Sequence, residues 1–214
     1  FLERSQYFGP MKSFWEERYA DEDYVYGELP NAYLQLKLKG LKLGKILFPA
    51  DGEGRNSVYA AGLGWKVFAY DFSEKAKEKA FKLANRKGVE INYTVGNIKE
   101  VQFEKESFDA IGLIYSHVPT DLRAALFQQV HYCLKPGGRL IFEAFSKNHN
   151  LYQQVNPNAG GPRDINMLYS VEELQAGFEG YTWKDLKEEV VDLNEGPFHQ
   201  GRSAVVRAFG VKMP

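Results

Sequence analysis

The sequence predicts a doubly wound α/β domain, built on a mostly parallel, seven-stranded sheet that ends in an antiparallel hairpin. Three observations carry this. Apolar, β-prone runs alternate with amphipathic stretches, the pattern of a parallel sheet with crossover helices. The first of these runs leads straight into a glycine-bearing turn. The last two follow one another with about ten residues between them and no helical signal, so they pair antiparallel.

The parallel strands are expected at Lys45–Pro49, Lys66–Asp71, Glu90–Val95, Phe108–Tyr115 and Gly138–Phe145. The second and fifth are nearly continuous apolar runs, as strands covered on both faces require. Helices fill the intervals. One spans Asn56–Gly62. Ser73 caps the next, which carries Ala76, Ala80, Phe81 and Ala84 on one side and stops at Gly88. A third runs from about Asp121 to Leu134, with Leu122, Ala125, Leu126, Val130 and Cys133 spaced for a buried face. The turn Lys135-Pro136-Gly137-Gly138 ends it. Residues 146–169 are polar and rich in Asn, Gly and Pro, which predicts a long surface excursion. A helix over Ser170–Phe178 precedes the hairpin strands at Lys184–Leu193 and Ser203–Lys212.

A chain of 214 residues fits one domain, expected over 11–214, with a lid and helix in 11–40. Residues 1–10 precede Met11 and read as a leader or expression remnant. The net charge of −1 and the lack of a long basic stretch argue against a nucleic-acid partner. No apolar run approaches the roughly 18–20 residues that cross a bilayer, so no membrane partner is expected. Cys133 is the one cysteine, which excludes an intrachain disulfide and suits a cytoplasmic protein. The histidines never fall at ligand spacing with each other or with Cys133, so no metal is expected. Nothing in the pattern reads out an oligomeric state.

The chemistry concentrates after the strands. Ile46-Leu47-Phe48-Pro49 runs into Ala50-Asp51-Gly52-Glu53-Gly54-Arg55-Asn56. Glycines here let backbone approach a ligand, and the following helix offers free N–H groups to an anion. A phosphate-binding P-loop is excluded, because Gly54 is followed by Arg55-Asn56-Ser57 and no Lys. Asp71 lies 17 residues beyond Gly54, where an acid reaches ribose hydroxyls; it is equally placed to cap the next helix. Phe72 beside it can cover an adenine face. In Gly96-Asn97-Ile98, Asn97 offers both donor and acceptor. Tyr115-Ser116-His117 follows the fourth strand at its carboxyl end, where α/β ligands bind. His117 is the first candidate for a substrate-side base; the plainer alternative is a rim histidine bonded to backbone. Glu143 and Phe145 end the fifth strand and can line the same pocket. Arg163 and His199 are more distant candidates for substrate ligands, and each reads more readily as a surface residue.

The ordered set ADGEGRN, AYDFS, VGNI, FDAIGLIYSH and LKPGGRLIFEAFS resembles the class I S-adenosylmethionine-dependent methyltransferases. Within them it is similar to a small bacterial branch typified by tellurite-resistance methyltransferases. The likeness extends to the opening FWEERYADEDYVYGELPN and the closing HQGRSAVVRAFG. It implies a Rossmann-like methyltransferase fold and S-adenosyl-L-methionine as cofactor. By this resemblance Asp51, Gly52, Gly54 and Asn56 hold the methionine part, Asp71 the ribose, and Phe72, Asn97 and Ile98 the adenine, with Tyr115 close by. Trp15, Tyr19 and Tyr26 map to an N-terminal lid, whose aromatic faces suit a sulfonium. Phe48 and Ala50 stand where the family has an acid and a glycine, and Asn97 where Asp is common. Asp51 or Glu53 is expected to supply the missing carboxylate. The implied activity is in-line methyl transfer to a small-molecule acceptor, a soft nucleophile such as a thiol or chalcogen oxyanion. Such transfer needs orientation and water exclusion more than a base.

Two alternatives stay open. Phe48 and Ala50 motivate a protein that binds the cofactor without catalysis. A nicotinamide oxidoreductase would use the same turn and Asp71. Against it, the turn lacks a third small residue, and the pair Tyr33 and Lys37 precedes the turn.

Overall fold

The computed structural model describes the backbone of residues 3–214 and the side chains from Met11 onward, Pro157 excepted. Strand β1 (Lys45–Pro49) lies at the middle of the sheet because it is apolar on both faces, with Ile46, Leu47 and Phe48 all buried. On one side it pairs in parallel with β2 (Lys66–Asp71), which pairs with β3 (Asn92–Val95). On the other it pairs with β4 (Phe108–Ile114), and then follow β5 (Leu134–Phe145), β7 (Gln200–Lys212) and β6 (Tyr181–Asn194). The order is β3-β2-β1-β4-β5-β7-β6, with β7 antiparallel to both neighbours. The expected seven-stranded sheet and its antiparallel ending are therefore present.

The helices are α1 (Glu3–Arg18), α2 (Ala32–Leu38), α3 (Arg55–Gly62), α4 (Glu74–Lys87), α5 (Thr120–Cys133), α6 (His149–Val155) and α7 (Val171–Gly177). Their ends are set by local chemistry. Asn31 and Ser73 cap α2 and α4 through their side-chain oxygens, and Gly88 ends α4 at φ 66°. Ser170 and Glu173 form a reciprocal capping box on α7. Apolar clusters fill both faces of the sheet. One gathers Leu47, Ile111, Leu113, Leu126 and Phe142; the other gathers Ile46, Phe48, Val67, Ala69 and Ile141. Among the described residues no helix is long and apolar enough to cross a membrane.

Several details differ from the sequence expectation. Strand β4 stops at Ile114 because Tyr115 turns out of the strand with φ 52°. The expected Lys-Pro-Gly-Gly turn lies inside β5, which begins directly after α5; Leu134 already pairs with Phe108 and the register shifts before Ala110. The segment 146–169 is not a plain surface excursion. It contains α6 and buries Ser146, His149, Ala159, Leu168 and Tyr169, and it returns to the sheet where Ser146 bridges to Tyr169.

Phe48 is a core residue: its ring occupies the space over Gly112, where any Cβ would collide with it. Ala50 carries a cost instead, since it holds φ 52° where glycine is usual. A left-handed L-residue costs roughly 1–2 kcal/mol, and the added unfolded-state freedom of glycine returns about 0.4–1 kcal/mol of that. Ala50→Gly is expected to raise stability by about 0.5–1 kcal/mol in urea denaturation; a loss of stability would contradict the strain.

Candidate functional site

The strand order reverses between β1 and β4, and the crevice at their carboxyl ends opens into a cavity of about 680 Å³. Its wall includes Trp15, Tyr19, Tyr26, Asp51, Gly52, Glu53, Asn56, Asp71, Phe72, Asn97, Ile98, Tyr115 and His117, which the sequence had singled out from five separate stretches of chain. Gly54 is not in the wall. It is the left-handed N-cap of α3 at φ 86°, and a Cβ there would lie 2.6 Å from that of Ala80. Gly52, at φ 61°, lets the Tyr19 hydroxyl approach to where a Cβ would be only 2.8 Å from it.

Two buried acids face the turn in different states. Each oxygen of Asp71 has one backbone partner: Oδ2 accepts the Gly52 N–H at 3.1 Å and Oδ1 the Ser73 N–H at 3.1 Å. Burial pushes its pKa up to about 6, and those N–H groups hold it from rising further. Asp51 is half-buried as a residue, but both of its carboxylate oxygens are buried, and neither forms a hydrogen bond among the described residues. Burial pushes its pKa up to about 7; Ser57 offsets part of that and the charge of Asp71 adds to it.

The remaining residues of the turn build walls. Glu53 accepts the backbone N–H groups of Val25 and Tyr26, at 3.2 and 3.4 Å, and pairs with Lys79 Nζ at 2.5 Å. Lys79 also donates to the carbonyls of Asp21 and Asp23, at 2.9 and 2.6 Å, so α4 grips the whole lid loop. Arg55 donates to Glu195 at 2.8 Å and to the Tyr26 carbonyl at 3.3 Å. Asn56 Oδ1 accepts the Asn31 N–H at 2.9 Å, tying α3 to α2. Over this base Trp15 stacks on Tyr19 at 5.3 Å and 24°. Asn97 Oδ1 accepts the Lys99 N–H at 2.9 Å, closing its own short turn.

The far wall is aromatic. Tyr115 donates its hydroxyl to Glu143 Oε1 at 2.9 Å, and Glu143, fully buried, also accepts from Asn31 at 2.7 Å and from Arg207. His117 Nδ1 lies 2.8 Å from the Met167 carbonyl and its Nε2 accepts the Phe145 N–H at 3.4 Å. Burial lowers its pKa to about 4, so the ring is neutral and Nδ1 is the donor. His199, expected at the surface, is instead 5% exposed and lines the cavity, its ring 4.3 Å from Tyr115 and 4.6 Å from Tyr26. Its Nδ1 has no partner among the described residues, and burial holds its pKa well below the usual histidine range. Arg163 also lines the cavity and donates to the Gln153 carbonyl at 3.2 Å.

Sequence reading missed Lys79, Arg55, Glu195 and the burial of His199. Lys79 had left a trace, since it sits among Ala76, Ala80 and Leu83 on the buried stripe of α4. The raised pKa values of Asp51 and Asp71 have a consequence for stability. An acid whose folded pKa exceeds its unfolded value favours the fold while protonated, and that contribution is lost as pH rises from about 4 to about 7. The unliganded protein should therefore lose stability over this range. Asp51→Asn is expected to stabilise it at pH 8 by on the order of 2 kcal/mol and to flatten the profile of Tm against pH. An unchanged profile would contradict the burial of an unpaired charge.

Residues 46–138 match the family described as a methyltransferase domain. A demethylmenaquinone methyltransferase of Lactococcus lactis subsp. lactis (strain IL1403) is 34% identical over 83 residues, 38% of this chain; the match spans about a third (33%) of that relative's length. TehB from Haemophilus influenzae shares the fold with a TM-score of 0.68 at 15% identity, over 94% of this chain and 66% of that one. Magnesium protoporphyrin IX methyltransferase from Synechocystis PCC 6803, solved with bound SAH, gives a TM-score of 0.64 at 14% identity over 99% of each chain. The match to a methyltransferase domain thus lies in residues 46–138, and the chain around them completes a sheet and a cavity that share the fold of these methyltransferases.

Proposed function

We propose that the chain binds S-adenosylmethionine with its cationic methionyl end against Asp51 and transfers the methyl group to a small-molecule acceptor at the aromatic end of the cavity. The observation that carries this is Asp51 itself. A buried carboxylate with no partner is costly, and the cost disappears when a cation meets it. Both the ammonium and the sulfonium of the cofactor are such cations. When bound, the cofactor supplies an electrophilic methyl group on that sulfonium.

The residues of the chain divide the remaining work. Asp71 keeps a free lone pair on each oxygen beyond its two backbone contacts, enough to accept ribose hydroxyls. Phe72 and Ile98 flank the adenine, and Asn97 has its NH2 group left for the ring edge. Tyr19 and Tyr26, backed by Trp15, offer aromatic faces to the sulfonium and keep water from the methyl group. Gly52 gives close approach, and Gly54 sets the start of α3. Glu53 and Asn56 act one step behind, holding the lid and α2 in place. His117 holds Met167, and with it the 146–169 segment, against β5. His199 is neutral and has an unpartnered nitrogen, so it is the group available to accept a proton from an acceptor. The single cysteine, Cys133, is buried and reduced, in keeping with a cytoplasmic setting.

Calorimetric titration with S-adenosylmethionine, and separately with NADH, tests the reading. The expected result is micromolar binding of S-adenosylmethionine, no binding of NADH, and a loss of roughly 1.5–3 kcal/mol in Asp71→Ala, about tenfold to a hundredfold in affinity. Failure of both S-adenosylmethionine and its demethylated product to bind would overturn it, and so would tight NADH binding.

A further inference from the structure

Resting on the methyltransferase reading, we propose that Arg18 selects the acceptor, and that the acceptor is a flat aromatic anion whose carboxylate or other oxyanion pairs with this guanidinium.

The charges in the cavity wall are unevenly distributed and mostly spoken for. Asp51 and Asp71 lie at the glycine turn, Glu53 is paired with Lys79, and Arg55 with Glu195. Asp164 caps its own short turn by accepting the Asn166 N–H at 2.9 Å. Arg163 is anchored to the Gln153 carbonyl. Arg18 differs from the other cations of the wall: its side chain makes no hydrogen bond and no ion pair among the described residues. It is nonetheless held in place. Its guanidinium carbon lies 5.0 Å from the ring centroid of Phe14 on α1 and 4.4 Å from that of Phe198 in the turn between β6 and β7. Two aromatic faces orient a guanidinium without using its N–H groups, so all five donors stay available for a planar anion.

What adjoins Arg18 gives the body of the acceptor. Phe198 contacts Tyr26 at 6.4 Å between ring centroids, and His199 then lies 4.6 Å from Tyr26, 4.3 Å from Tyr115 and 5.2 Å from Phe145. These rings form a continuous aromatic wall from the guanidinium to the unpartnered nitrogen of His199, and such a wall favours a flat ring over an aliphatic chain. The hairpin turn that presents Phe198 and His199 is itself fixed, because the Phe198 carbonyl packs where a side chain on residue 160 would be and Gly160 leaves the room. An aromatic acceptor with its anionic group at Arg18 would thus lie along this wall, with its opposite edge toward the methyl group.

The test uses the full chain saturated with S-adenosylhomocysteine, and two isosteric probes, 2-naphthoate and 2-naphthamide, titrated by calorimetry into wild type, Arg18→Met and Arg18→Lys. Wild type is expected to bind naphthoate about tenfold more tightly than naphthamide. In Arg18→Met that preference should vanish through weaker naphthoate binding, with naphthamide and S-adenosylhomocysteine affinities unchanged. Arg18→Lys should keep part of it, since the charge remains and the planar fork is lost. Equal binding of the two probes by wild type, no binding of naphthoate, or a preference that survives in Arg18→Met would overturn the inference. A fall in S-adenosylhomocysteine affinity in Arg18→Met with the probe preference intact would also overturn it, by assigning Arg18 to the cofactor carboxylate. Failure of wild type to bind S-adenosylhomocysteine at all would instead strike the underlying methyltransferase reading.

Discussion

The architecture of the site depends on one buried polar relay. Arg55, at the start of α3, pairs with Glu195 in the hairpin turn; the Asn31 side chain donates to both Glu195 and Glu143; Arg207 on β7 closes the chain on Glu143 and Glu189. The relay ties the glycine turn, the start of α2, β5 and the antiparallel hairpin to one another. Glu143 has no solvent exposure, so its charge is tolerable only because Asn31, Tyr115 and Arg207 all donate to it. Removing one partner from such a group leaves an uncompensated charge at a cost of about 3–5 kcal/mol. The same groups hold Phe198 and His199 over the cavity, which links the stability of the sheet to the shape of the site.

Against this background Asp51 stands out by contrast. Glu53, Asp71 and Glu143 are buried acids whose oxygens are met by backbone N–H groups, amides or cations. The Asp51 oxygens are buried without such a hydrogen bond, and Ser57 eases their burial only in part. Native proteins satisfy nearly all their buried polar atoms, and an exception in a cavity marks where a ligand completes the structure. At the end of β1, Phe48 packs into the core, and the first carboxylate after it is that of Asp51, three residues on in the turn.

The strands that carry the site could be read from the sequence because they obey local rules. Lys45–Pro49 and Lys66–Asp71 match to the residue, since each is an apolar run bounded by a turn, and Asp71 follows from its distance beyond Gly54. The Ser73 and Gly88 ends of α4 were equally local. What could not be read was set by partners far away in the chain. Glu53 finds its partners 28 and 26 residues off, and Arg55 finds Glu195 across 140 positions, so neither role leaves a local pattern. His199 looked like a loop residue because its neighbours are polar and glycine-rich; it is buried by Tyr26, Tyr115 and Phe145, from three other elements of the chain. The 146–169 segment misled for the same reason, its few apolar residues being enough to bury it against β5 and β7.

If a cation of the cofactor meets the Asp51 carboxylate, binding must exchange a proton with the solvent. At pH 6.5 the unliganded Asp51, with its pKa near about 7, is largely protonated. A cation brought beside it expels that proton. Titrating S-adenosylmethionine into the protein in buffers of different ionisation enthalpy reads the number of protons released. The account requires release of roughly half a proton or more per site in the wild type and a clear drop in Asp51→Asn. Release that is absent in the wild type, or the same in both proteins, would contradict it.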